Sequence, residues 1–153
     1  MSLPLLILLA FVAAGEIRQI PVLKRDGGYQ YFNSQLLSTK KEFSTFLDKV
    51  EEQKYWPDKQ RFVEQLQKAK IDFTTHSLLL VRNDAGSGSI KVNIGKPVLK
   101  NKEIVFHVKW NWPQFQTGDM AYYCFAFKIP KRIAADKIRI IAPLKEDVLI
   151  KLH

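Results

Sequence analysis

Leu78-Leu79-Leu80-Val81 is the stretch on which the fold turns. A strand with one face on the core and one in water alternates apolar with polar residues, because successive side chains point to opposite sides. Four apolar residues in a row read instead as a central strand, apolar on both faces. The chain beyond Val81 is also β in pattern. Ile90, Val92 and Ile94 alternate with Lys91, Asn93 and Gly95; Ile104, Phe106, Val108, Trp110 and Trp112 share one face, opposite Glu103, His107, Lys109 and Asn111. Ala121, Tyr123, Phe125, Phe127 and Ile129 alternate likewise until Pro130, and Ile138–Ile141 and Val148–Leu152 supply shorter strands.

Upstream of Asp72 the period changes. Phe43, Phe46, Leu47 and Val50 fall on one helical face, and Thr39 with Glu42 forms a capping box, which predicts a helix over 39–53. Pro57 drives Trp56 out of the helical region, and Asp58 is placed to cap a second helix carrying Phe62, Val63, Leu66 and Ala69. The short linker between them predicts an αα-hairpin. Before it, Asp26-Gly27-Gly28 between Ile17–Leu23 and Tyr29–Phe32 reads as a hairpin of two short strands. The sum is an α+β fold: a mainly antiparallel sheet of about five to seven strands with the αα-hairpin packed on one face. No repeat or Pro- or Ser-rich linker divides residues 16–153, which read as a single domain.

Residues 1–15 read differently. From Ser2 to Gly15 there is no charge, and Ala13-Ala14-Gly15 precedes Glu16. A bilayer span needs about 20 apolar residues; a shorter apolar run ending in small residues is the pattern of a cleavable signal peptide. Cleavage after Gly15 leaves a basic chain, with 24 Lys and Arg against 15 Asp and Glu. The one cysteine, Cys124, can form no internal disulfide in an oxidising compartment, and its apolar setting points to burial.

Eight of the eighteen aromatic residues lie between Phe106 and Phe127, followed by Lys128, Lys131, Arg132, Lys137 and Arg139. That mixture suits stacking on single-stranded nucleic acid. Strand spacing puts most of the rings on the core face, however, and export separates the chain from nucleic acid. His76, His107 and His153 have no second ligand at metal-binding spacing. Cys124 and His107, on strands read as neighbours, point to the same face, so a thiol nucleophile with a His base is geometrically open. No third orienting residue accompanies them. The loop Asp84-Ala85-Gly86-Ser87-Gly88-Ser89 lacks the lysine and the helix of a phosphate-binding loop, and reads as a mobile connection with exposed surface. In Asn111–Asp119, Trp112 and Phe115 either fold back onto the core, the favoured reading, or stand exposed as anchors for a partner.

Ile71-Asp72-Phe73 with Ser77–Val81, Gly86–Val92, Glu103–Val108, Gly118-Asp119-Met120 and Phe127–Lys131 together resemble the C-terminal domain of PrcB-type protease-complex stability proteins. Where that family carries Gly-Gly-Tyr, this chain has Ser87-Gly88-Ser89. The resemblance implies a small exported module that binds and stabilises a protease, and it brings no catalytic residues.

The sequence thus predicts a periplasmic or secreted, non-enzymatic protein-interaction domain with no cofactor, no metal, no nucleic-acid partner and no integral membrane span. Its partner is another protein, a protease by resemblance, and its contact candidates are Gly86, Ser87, Gly88, Ser89, Trp112 and Phe115. The alternative is a binder of anionic envelope ligands through its basic surface. Mass spectrometry of the protein recovered from the cell envelope is expected to find Glu16 at the N-terminus; a chain still beginning at Met1 would remove export from this reading.

Overall fold

A strand that is apolar on both sides has to be covered twice, and the computed structural model shows how. It describes residues 16–152; the signal peptide expected over residues 1–15 lies outside the described residues, as does His153. In chain order the elements are β1 (Arg18–Ile20), a 3-10 turn (Gly27–Tyr31), β2 (Gln35–Leu37), α1 (Lys40–Glu51), α2 (Lys59–Lys68), β3 (His76–Ala85), β4 (Lys91–Ile94), β5 (Val98–Lys100), β6 (Glu103–Asn111), β7 (Ala121–Pro130), β8 (Lys137–Ile141) and β9 (Val148–Lys151).

These strands make two sheets. The first is antiparallel throughout, in the order β1-β7-β3-β2, and its spine is the β3–β7 pair, in register from His76 opposite Pro130 to Ala85 opposite Ala121. In the second, β4 and β5 line one edge of β6, β8 runs parallel to β6 on its other side, and β9 closes the far edge. The parallel pair arises because the chain leaves β6, crosses the first sheet as β7 and returns as β8.

The first sheet is the middle of three layers. Leu79, Val81, Phe125 and Phe127 pack against Val92, Ile104, Phe106 and Ile138 of the second sheet. Leu78, Leu80, Cys124 and Ala126, on the opposite face, pack against Phe46, Val50, Phe62 and Leu66 of the helices. Leu78 to Val81 are all fully buried, and burying each such side chain contributes about 2 kcal/mol. The reading of Leu78–Val81 as a doubly covered strand therefore holds, and β7 shares that position.

Several expectations need correction. Among the described residues nine strands replace the expected five to seven, in two sheets rather than one. Alternating patterns in β6 and β7 fit neighbours in one sheet as well as strands in two facing sheets. Only Cys124 and Ala126, small and apolar on the supposed outer face of β7, mark the difference. Strand β5 is too short to show a period; it is followed by a turn at Asn101 and Lys102, which both adopt positive φ, 52° and 59°. The hairpin expected around Asp26-Gly27-Gly28 does not form. Those residues enter a 3-10 turn, where Asp26 Oδ1 accepts from the Gly28 N–H at 2.9 Å, and the flanking strands β1 and β2 lie on opposite edges of the sheet.

Thr39 caps α1 as expected, accepting from the Glu42 N–H at 3.1 Å, and the Glu42 carboxylate accepts from the Ser38 N–H at 2.7 Å. Asp58 precedes α2 but makes no side-chain cap. The αα-hairpin is not confirmed. Phe46 and Phe62 do meet, with ring centroids 6.4 Å apart, but the helices are joined chiefly through Tyr29, Phe32 and Trp56, which belong to neither. Phe32 stacks on Phe62 at 5.8 Å and Trp56 on Phe62 at 5.2 Å, with Tyr29 edge-on to Trp56 and Phe62. Arg82 fixes this aromatic block to β3, donating to the carbonyls of Gln30 and Phe32 at 3.0 and 2.7 Å while gripping Asp84 with two bonds.

Gly28 is where this packing is least forgiving. A Cβ there would stand 1.9 Å from the Trp56 ring, whereas one at Gly27 meets nothing within 4 Å. Gly28→Ala is expected to lower stability by about 2 kcal/mol or more, and Gly27→Ala by less than about 0.5 kcal/mol. Chemical denaturation of the pair checks this, and equal midpoints would contradict the packing.

Candidate functional site

The register Ala85 opposite Ala121 determines what happens at one end of the first sheet. Residues 86–89 leave β3 and residues 112–120 arrive at β7 from adjacent positions, so the two loops singled out in the sequence emerge side by side. They are bonded to each other. The Ser87 hydroxyl accepts from the Thr117 N–H at 2.9 Å and lies 2.7 Å from Ser89 Oγ and 3.1 Å from Thr117 Oγ1. Ser89 Oγ donates to the Phe115 carbonyl at 3.3 Å.

Asp119 completes the weld. One of its oxygens accepts from the Gly88 N–H at 3.2 Å, and the other lies 3.4 Å from the Arg25 guanidinium, which also donates to the Gly88 carbonyl at 2.8 Å. Arg25 reaches this place because residues 24–26 run beside β7, with Arg25 bridged to Tyr123. A hydrogen bond from Thr117, followed by bonds from backbone N–H groups including that of Gly88, holds the Asp119 carboxyl below the usual carboxylate range. Below the loops, the buried Tyr123 hydroxyl donates to the Ile90 carbonyl at 2.9 Å and Trp110 Nε1 donates to Asn83 Oδ1 at 2.8 Å.

The expectation of a mobile Gly-Ser connection is therefore corrected. None of the described glycines uses a positive φ. Gly88 is needed for space, since a Cβ there would lie 2.2 Å from Asp119 Oδ2. Of the candidate residues, Gly86 is exposed, Gly88 and Ser89 are half-buried, and Ser87 is fully buried, so Ser87 fastens the loops instead of offering surface.

The aromatic side chains also depart from the favoured reading. Neither closes the core: Phe115 is 81% exposed and Trp112 is 47% exposed, with Trp112 leaning on Trp110 at 5.2 Å. Met120, which sequence pattern did not single out, adds a third apolar side chain at 52% exposure. Arg25, Thr117 and Asp119 were missed too. Their roles depend on pairings across 30 residues or more, which local pattern does not carry. Met120 alone was legible, as an apolar residue outside the alternation of β7.

The contact of Cys124 with His107 that the sequence leaves geometrically open does not occur. His107 lies on the exposed face of the second sheet, and Cys124 is buried on the helix side of the first, so both sheets intervene. Burial pushes the Cys124 thiol up, away from the thiolate. Among the described residues no group of three or more His, Cys, Asp or Glu is placed to hold a metal ion, and no helix is long and apolar enough to cross a membrane. Comparison of the chain with protein-family models, curated proteins and solved structures finds no match.

Replacing Ser87 by Val removes the nearer of the two acceptors of the Thr117 N–H, leaving Ser89 Oγ at 3.2 Å, and puts two methyl groups in a polar pocket. The expected loss is about 1–3 kcal/mol of stability. Amide exchange at Thr117 and Gly88 should accelerate more than exchange in β3; a uniform change would contradict the weld.

Proposed function

We propose that this chain is a non-enzymatic protein-binding module whose contact surface is the joined 86–89 and 112–120 loops. The observation that carries the reading is Phe115, four-fifths exposed on a loop whose backbone is tied at Ser89, Thr117 and Asp119. An exposed aromatic on a fixed backbone loses little freedom on binding, and such anchors dominate interface energetics. Trp112 and Met120 widen the apolar surface. Export is part of the proposal and rests on residues 1–15. A protease as the partner rests on the resemblance of strands and turns.

A second reading is favoured by a separate observation. The outward face of the second sheet carries Lys91, Lys100, Lys109, Lys137, Arg139 and Lys151 against two carboxylates, Glu103 and, 3.0 Å from Arg139, Asp147. Glu103 is held between Lys137 and Arg139 at 3.1 and 2.8 Å; hydrogen bonds from Arg139 first and then Lys137 lower its carboxyl to about 2. Four lysines remain on an open face, which suits an anionic ligand.

Two measurements separate the readings. Pull-down from envelope extract with Phe115→Ala and Trp112→Ala is expected to reduce capture of the specific partner at least tenfold, which is about 1.4 kcal/mol, while Lys91→Glu with Lys109→Glu leaves it unchanged. Unchanged capture by the aromatic variants would sink the first reading. Retention on an immobilised polyanion is expected to fall steeply with salt and to drop in the lysine double variant; salt-independent retention would remove the second.

Glu103 also has a pH signature. Its carboxyl is depressed in the fold, so its contribution is present above the unfolded value near 4.5 and is lost as pH falls toward about 2. Glu103→Gln should flatten stability over that window, and an unaltered acid-unfolding curve would contradict the Lys137–Glu103–Arg139 cluster.

A further inference from the structure

The first sheet ends at β2, and no strand among the described residues pairs with its outer edge. Such an edge presents unpaired backbone donors and acceptors. Beside it runs a groove of about 560 Å³ between β2 and α1, with Phe32, Phe46, Val50 and Trp56 at its base and Gln35 and Leu37 on the strand side. The volume is that of a ligand site. The Trp56 indole Nε1, on the ring edge that faces Gly28, is buried without a hydrogen-bond acceptor among the described residues.

The helix side of the groove has a charge pattern. Its charged lining residues are Lys41, Glu42 and Lys49. The Glu42 carboxylate accepts from the Ser38 N–H at the start of α1 and keeps its charge, so the lining sets two exposed lysines against one carboxylate beside an apolar base. Lys41 and Lys49 are eight residues apart on one helix, about 12 Å of rise. An extended peptide covers that distance in about four residues, and residues i, i+2 and i+4 of a strand share a face.

We infer that this groove binds an extended acidic segment of a partner polypeptide, which adds a strand to β2. Its apolar side chain enters the aromatic base, and carboxylates two residues to either side meet Lys41 and Lys49. The backbone of the segment supplies the pairing that the open edge lacks. This surface is formed by α1 and β2, whereas the loop surface is formed by residues 86–89 and 112–120, so the two can be tested apart.

The test pans a library of random octapeptides against the purified protein, then measures the best peptide by fluorescence anisotropy and maps it by amide chemical shifts. The expected peptides carry Asp or Glu four residues apart with an apolar residue midway, and shift the amides of Gln35–Leu37 and α1. Lys41→Glu with Lys49→Glu, both on the exposed side of a capped helix, should weaken binding at least tenfold without changing the melting temperature. A peptide N-methylated on the edge facing β2 should also bind at least tenfold more weakly. Phe115→Ala should bind as the parent does. The proposal is overturned by enriched peptides with no acidic bias, by shifts confined to the 112–120 loop, by unweakened binding of the charge-reversed protein or the N-methylated peptide, or by no enrichment at all. Concentration-dependent dimerisation that shifts the same β2 amides would also overturn it, in favour of a second copy as the occupant.

Discussion

The β3–β7 pair, with apolar side chains on both faces, is the constraint on which the rest of the structure depends. Ten consecutive residue pairs in register put Leu79, Val81, Phe125 and Phe127 on one side and Leu78, Leu80, Cys124 and Ala126 on the other. Each side needs its own cover, because neither apolar surface can be left to water at about 25 cal/mol per Å². The second sheet supplies one cover and the aromatic block with α1 and α2 the other. The same register aligns Ala85 with Ala121 and so sets the two loops beside each other.

How much of the fold is legible in the sequence depends on whether a feature is local. Leu78–Val81 announces a doubly buried strand, and Thr39 with Glu42 announces the start of α1, because both signals lie within a few residues. The partition into two sheets is not legible, since alternation in Ile104–Trp110 and in Ala121–Ile129 says which side of a strand is apolar but not what it faces. The turn at Gly27–Tyr31 misleads for a related reason. Asp-Gly-Gly favours a hairpin locally, but Tyr29 and Gly28 are committed to Trp56, distant in sequence, and that packing prevails over the local preference.

The candidate site divides along the same line. Trp112 and Phe115 are visible in the sequence as aromatics in a polar loop. That they stand exposed depends on the hydrogen bonds that fix the loop, made by Ser87, Ser89 and Asp119 to residues about thirty positions away. The Gly-Ser composition of residues 86–89 suggests freedom, whereas the small side chains serve close approach: Gly88 admits Asp119 and Arg25, and Ser87 fills a buried polar pocket. Composition alone does not distinguish a flexible loop from a tightly fitted one.

The central claim is that the tip bearing Phe115 is a rigid extension of the doubly buried sheet. Native-state hydrogen exchange, measured residue by residue, tests it most directly, because exchange reports local opening. The account predicts the slowest exchange at Leu78–Val81 and Tyr123–Phe127, and clear protection at the N–H groups of Gly88 and Thr117. Exchange at Gly88 and Thr117 as fast as in an unstructured chain, beside a protected β3 and β7, would contradict it.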